Sequence, residues 1–107
     1  MRVVFTVLDA LPVRHVGVEH TPVLHDLARS GASAPGGALG VMTSATYPNH
    51  ATFSTGAEPR QHGVATNWIP QSGGVVPAWK RGPQVPTLFD ACRAAGRTST
   101  AVGNHLT

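Results

Sequence analysis

The chain has two stretches whose hydrophobic pattern predicts β-strands. Residues 2–8 form a nearly continuous run of apolar and β-branched side chains, which is typical of a strand buried on both faces in a parallel sheet. Residues 98–103 are less hydrophobic but have the same β-branched character. We expect these two strands to be parallel neighbours joined by a right-handed crossover, because a parallel pair requires a long connection.

Two further stretches have apolar residues at helical spacing. One opens at Thr21 and Pro22, a capping residue followed by proline at the first helical position, and closes at Gly31. The other covers residues 86–95 and stops at Gly96. The order strand, helix, long loop, helix, strand predicts an α/β fold. Because a sheet of two parallel strands is a poor independent unit, we expect residues 1–107 to be the incomplete N-terminal part of a single larger domain.

Between the helices lies a polar segment, 43–56, that predicts a loop leading into a short helix. Pro48 suits the first helical position and Gly56 suits the stop. Thr46 would then lie just before a helix N-terminus, where the unpaired N–H groups and the helix dipole favour a negative charge. Its hydroxyl group could face a phosphate or become an alkoxide. The other interpretation is that Thr46 only caps the helix.

The remaining long loop, residues 69–83, is rich in Pro and Gly and contains a turn signal at Gly73 and Gly74. We predict that this segment is a long loop on the protein surface and that it contains a small hairpin. Unpaired edges of the short predicted sheet would favour self-association.

Composition limits the classes of function. The formal charge of +3 comes from eight basic residues that are scattered rather than clustered, so binding to polymeric nucleic acid is not expected. Cys92 is the only cysteine, which rules out an internal disulfide. No run approaches the roughly 20 apolar residues of a membrane span, so no membrane association is expected. No signal peptide fits before the first strand, which predicts a cytoplasmic protein if Met1 is the natural start.

Several motifs occur together and in order. The predicted first strand ends in Asp9, at the carboxyl end where open α/β sheets bind ligands, although Asp9 could also cap the next turn. The later motifs are Thr21-Pro22-Val23-Leu24-His25-Asp26-Leu27-Ala28, Thr46-Tyr47-Pro48-Asn49-His50-Ala51-Thr52, Thr55-Gly56, His62-Gly63-Val64 and Asn67. Over essentially its whole length the chain resembles the N-terminal part of the type I phosphodiesterase/nucleotide pyrophosphatase family, within the alkaline phosphatase superfamily.

The resemblance implies the start of an alkaline-phosphatase-like three-layer α/β/α domain with a mostly parallel sheet, truncated in this chain. It also implies two divalent metal ions, usually zinc, in the full-length enzyme. Asp9 and Thr46 would bind metal, and Thr46 would be the nucleophile. Asn67 would bind the phosphate oxygens, and the backbone N–H of Tyr47 can donate to them as in an oxyanion hole. The substrate would be a small phosphodiester or nucleotide. Asn67 could instead be a turn residue.

By the same resemblance, the two motif histidines, His50 and His62, are structural residues or residues that contact the site residues, rather than metal ligands. The chain departs from the family pattern in having Ala10 where glycine commonly follows the metal-binding aspartate. The expected downstream Asp and His ligands are also absent. We therefore expect that the 107-residue chain alone neither binds two metal ions tightly nor catalyses the hydrolysis of a substrate. The alternatives are a phosphomonoesterase or phosphonate hydrolase of the same superfamily, or a non-catalytic remnant that binds anions.

Overall fold

A computed structural model describes residues 2–103 of the chain. It divides into two compact units, Met1–Leu39 and Gly40–Thr107. Within the described residues, the elements in chain order are a 3-10 helix Val13–His15, α1 Pro22–Ser30, α2 Thr46–Thr55, α3 Pro59–His62, β1 Trp68–Gln71, β2 Gly74–Pro77, α4 Ala78–Arg81 and α5 Leu88–Ala94. Among these residues no helix is both long enough and apolar enough to cross a membrane.

The first unit contains the predicted helix after Thr21. Helix α1 begins at Pro22 and its C-terminal flanking residue is Gly31, which confirms the prediction. Thr21 does not cap the helix, since its hydroxyl group donates to the carbonyl of His15 at 2.9 Å and accepts from the N–H of Gly17 at 3.1 Å. Thr21 therefore fixes the preceding loop to the start of α1.

The two predicted parallel strands do not form within residues 2–103. Residues 2–8 have no regular structure and are exposed, with Val4 at 88% and Phe5 at 64% of their maximal accessibility. Residues 98–103 are also irregular. The physical reason is that two parallel strands alone would leave both faces of the sheet in water, so little apolar area would be buried to offset the loss of chain entropy. The predicted mostly parallel sheet is thus not present in this part of the chain.

The one sheet among the described residues is an antiparallel hairpin. Strands β1 and β2 pair Trp68 with Pro77 and Gln71 with Gly74, and two residues, Ser72 and Gly73, connect them. Gly73 has φ of +93°, a conformation that glycine adopts without a steric penalty. The hairpin predicted within residues 69–83 is confirmed and begins one residue earlier.

The buried residues of the described chain lie in the second unit. Ala51 of α2 packs with Val64, Ile69 of β1 and Ala78 of α4, and Tyr47 packs against this cluster. This small core joins α2 to the hairpin.

Helix α5 begins two residues later than predicted. Thr87 is its N-cap, because the Thr87 hydroxyl accepts from the N–H of Asp90 while the Asp90 carboxylate accepts from the N–H of Thr87 at 2.8 Å. This reciprocal capping box fixes the first helical residue at Leu88.

Candidate active site

Thr46 is the first residue of α2. The helix begins at Thr46 and not at Pro48, so the predicted start was two residues late. Pro48 is fully buried at the third helical position, which is tolerated because the N–H groups of the first turn have no carbonyl partner within the helix. Gly56 ends the helix with φ of +68°, as predicted.

The hydroxyl group of Thr46 is not used as a cap. The N-cap position is taken by Ala45, which has no polar side chain. Thr46 is half-buried, and its hydroxyl group makes no hydrogen bond to any residue from 2 to 103. The interpretation of Thr46 as a helix cap is therefore wrong, and the hydroxyl group remains available at the positive end of a ten-residue helix.

Asn67 lies against this helix N-terminus although it is 20 residues away in the chain. Its Oδ1 atom accepts a hydrogen bond from the backbone N–H of Tyr47 at 2.9 Å. Its own carbonyl accepts from the N–H of Ala78 at 2.9 Å, which ties Asn67 to the end of the hairpin. Because Oδ1 faces the helix, the orientation of the amide is fixed and its Nδ2 donors are directed away from the Tyr47 N–H.

No role was predicted for Asn49, but its side chain organises the loop before Thr46. Its Oδ1 accepts from the N–H of Val41 at 3.0 Å, and its Nδ2 donates to the carbonyl of Ala45 at 2.8 Å. Thr43 adds a second attachment, donating its hydroxyl hydrogen to the carbonyl of Ala65 at 2.7 Å. The one sequence signal for this arrangement was an amide side chain one turn into a helix that follows a small-residue loop.

His62 is completely buried. Its Nδ1 accepts from the N–H of Val64 at 3.1 Å. That bond requires an unprotonated Nδ1, so Nε2 carries the hydrogen and donates to the hydroxyl of Thr52 at 3.0 Å. Burial lowers the pKa of His62, which keeps the ring neutral. Both ring nitrogens are occupied by protein groups, so His62 joins α2 to α3 and the following loop.

The other motif histidine, His50, is half-buried on α2. Its ring centroid lies 6.3 Å from that of Phe53 one turn further along the helix. This contact is an aromatic pairing on the helix surface.

Asp9 belongs to the first unit. Its carboxylate is exposed, and its Oδ1 accepts from the N–H of Ala10 at 3.0 Å. Ala10 has φ of +58°, in the left-handed region that favours glycine.

A stable metal site needs several donor groups close together. An exposed carboxylate such as that of Asp9 suits a divalent cation as one ligand. The described residues contain no group of three or more His, Cys, Asp or Glu side chains that could hold a metal ion.

Comparison with known proteins identifies the family. The family model for type I phosphodiesterase / nucleotide pyrophosphatase matches residues 3–103. No curated protein and no solved structure gives a significant match. The family match includes every motif residue from Asp9 to Asn67 and spans nearly all of the 107 residues. The chain belongs to the type I phosphodiesterase/nucleotide pyrophosphatase family.

Proposed function

We propose that this chain carries the nucleophile of a hydrolase that cleaves phosphodiester or nucleotide pyrophosphate bonds, with Thr46 as the attacking group. Family membership supports a hydrolase of this general type. The observation that carries the finer proposal is the position of Thr46. Its hydroxyl group, which makes no hydrogen bond to residues 2–103, lies at the first residue of α2, next to a backbone N–H that holds Asn67.

The chain's own residues favour negative charge at this position. The positive end of the α2 dipole favours the alkoxide form of Thr46 over the neutral hydroxyl group. The Nδ2 group of Asn67 provides donors for an equatorial phosphoryl oxygen, and its orientation is fixed by the 2.9 Å bond from the Tyr47 N–H. Donors fixed in advance stabilise the charge that develops in the transition state without reorganising.

We propose that a bound phosphate accepts from the backbone N–H of Tyr47. In the structure this N–H donates to Oδ1 of Asn67 at 2.9 Å, so the phosphate oxygen would share the N–H with Asn67. Tyr47 contributes through its backbone and not through its hydroxyl group.

We further propose that the reaction depends on two divalent metal ions, with Asp9 and Thr46 among the ligands and zinc as the expected metal. Threonine is a weak nucleophile at neutral pH, and metal ions supply deprotonation of the hydroxyl group and neutralisation of phosphoryl charge. The remaining ligands would come from outside the described residues, since these contain no cluster of three.

The test is a pair of substitutions in the protein expressed from its complete gene. Bis-p-nitrophenyl phosphate is the diester substrate and p-nitrophenyl phosphate the monoester. We expect Thr46→Ala to lower kcat by about a thousandfold or more, since a lost nucleophile is not replaced. Thr46→Ser should keep measurable activity because the hydroxyl group remains. Thr55→Ala is the matched control, because Thr55 lies at the other end of α2 and donates to the Ala51 carbonyl.

Three results would change the proposal. Full activity in Thr46→Ala would exclude this nucleophile. A preference for the monoester would favour a phosphomonoesterase, which can use the same residues. Failure to hydrolyse either substrate, with phosphate still bound, would favour a non-catalytic anion-binding remnant.

A further inference from the structure

We propose that Asn49 is a positioning residue that sets the direction of the Thr46 side chain. The inference rests on the proposed role of Thr46 as nucleophile. Its basis is the set of contacts made by the Asn49 amide, which holds both ends of the loop 41–45 immediately before Thr46.

The Asn49 side chain uses its acceptor and its donor on two different backbone groups. Oδ1 accepts from the N–H of Val41 at 3.0 Å, and Nδ2 donates to the carbonyl of Ala45 at 2.8 Å. An asparagine amide is the shortest side chain that offers one of each in a fixed plane. The loop is therefore closed through a single side chain.

The bond to Ala45 acts directly on Thr46. The carbonyl of Ala45 belongs to the planar peptide group that ends at the nitrogen of Thr46, so fixing this oxygen restricts the rotation of the peptide and the direction in which the Thr46 side chain leaves the backbone. The backbone N–H of Asn49 also donates to this oxygen, but at 3.4 Å. The side-chain bond at 2.8 Å is the shorter of the two.

Among residues 2–103, the side chain of Asn67 holds the peptide group after Thr46, through the N–H of Tyr47, and only the side chain of Asn49 holds the peptide group before it. The N-cap is Ala45, which makes no side-chain capping bond. The loop has one more attachment to a neighbouring segment, from the Thr43 hydroxyl to the Ala65 carbonyl, and the N–H of Ala45 donates to the carbonyl of Thr43 at 2.7 Å. Those bonds hold the middle of the loop, whereas Asn49 holds the peptide group that immediately precedes Thr46.

Gly40 provides the space that Asn49 requires. A Cβ atom at residue 40 would lie 2.8 Å from Oδ1 of Asn49, closer than real Cβ contacts allow. A side chain there would push the amide out of place. Gly40→Ala is therefore a second way to disturb the Asn49 contacts without changing Asn49 itself.

The experiment compares variants of the protein expressed from its complete gene, with bis-p-nitrophenyl phosphate as the probe. In Asn49→Leu, which has similar size but no polar atoms, we expect kcat to fall by about tenfold to a hundredfold, with KM within about twofold, because misdirection of a reacting group lowers the rate of the chemical step. Asn49→Asp retains an acceptor for the N–H of Val41, but a carboxylate oxygen replaces the Nδ2 donor and faces the carbonyl oxygen of Ala45. We expect it to lose kcat to a similar degree.

A spectroscopic readout separates the two bonds. Hydrogen exchange of the Val41 amide should be faster in Asn49→Leu and unchanged in Asn49→Asp. Ser54→Ala is the matched control, since Ser54 is on the same helix and donates to the Ala51 carbonyl. It should change neither kcat nor Val41 exchange. Gly40→Ala should resemble Asn49→Leu, which keeps the test valid if the leucine variant fails to fold.

The outcomes are distinct. The inference is supported if kcat falls in the aspartate and Gly40→Ala variants while KM stays near the wild-type value. It is overturned if these variants keep wild-type kcat although Thr46→Ala is inactive, a result that leaves the proposed function standing. If Thr46→Ala is fully active, the proposed function fails and the positioning role falls with it.

Discussion

The segment around α2 contains buried residues, whereas the N-terminal unit contains none among its described residues. In the segment 40–67, backbone groups are held by side chains that come from the same segment, among them Asn49, His62 and Asn67. Among the described residues of the unit Met1–Leu39 none is buried, and its most hydrophobic stretch, 2–8, is exposed.

The difference shows which kinds of structure a short segment can form. Hydrogen bonds between a side chain and a nearby backbone group need few residues, so the surroundings of Thr46 can be organised by the motif itself. A strand buried on both faces needs neighbours on each side and cover above and below. We therefore propose that residues 2–8 form the predicted strand only in a complete three-layer domain.

Among the tests of this comparison, the largest expected effect concerns the carboxylate that the N-terminal unit would contribute. In the protein expressed from its complete gene, Asp9→Asn should lower bound metal and reduce diesterase activity by about a hundredfold or more, because an amide is a weaker ligand than a carboxylate. Metal content is measured by atomic emission and activity with bis-p-nitrophenyl phosphate. Asp26→Asn, on the exposed side of α1, is the control. Unchanged metal content in Asp9→Asn would remove Asp9 from the metal site.

A second substitution tests whether the exposed run becomes a buried strand. Val4→Asp in the same protein should lower the free energy of unfolding by about 3 kcal/mol or more if residue 4 is enclosed in a sheet, since an unpaired charge would be buried. Val18→Asp is the control, because Val18 is 68% exposed and lies outside any predicted strand. Urea unfolding measures both. Equal, small effects would contradict the parallel-sheet proposal and leave the run as a surface segment.

A third substitution tests how strongly the α2 segment depends on its buried histidine. His62→Leu should cost about 2–4 kcal/mol of unfolding free energy, because the N–H of Val64 and the hydroxyl of Thr52 lose their partner in the interior. His25→Leu on α1 should cost less than about 0.5 kcal/mol. Similar losses at both positions, measured by urea unfolding, would show that His62 is not a central contact of this segment.

The smallest effect is a dependence of stability on pH. Burial lowers the pKa of His62 in the folded chain below the ordinary histidine value, so between the two values the unfolded chain binds more protons. Stability should therefore be constant above that window and fall as pH decreases through about 6.5 toward the folded pKa. Unfolding free energies between about pH 5 and 8 should show this slope in the wild type and a smaller slope in His62→Leu. An equal slope in both would assign the pH dependence to other groups.

Much of the local structure could be predicted from the sequence. The helix after Thr21 and the hairpin with Gly73 in its turn both depend on neighbouring residues, and both form as predicted. The predicted starts of α2 and α5 each differ by two residues from the observed starts, because side-chain contacts decide where a helix begins. Thr87 and Asp90 form a capping box that starts α5 late, and α2 extends back to Thr46 because Pro48 fits within its first turn.

The sequence by itself determined the family of this protein, through the order of motifs from Asp9 to Asn67, and placed Thr46 at a helix start. Only the tertiary structure decided which groups meet there. It brought Asn67 to the N–H of Tyr47 and enclosed His62 between Thr52 and Val64. It also gave Asn49 its contacts with Val41 and Ala45. The physical reason is that periodicity and capping act within a few residues, whereas these contacts depend on how the chain returns to α2 and on the burial of each donor and acceptor.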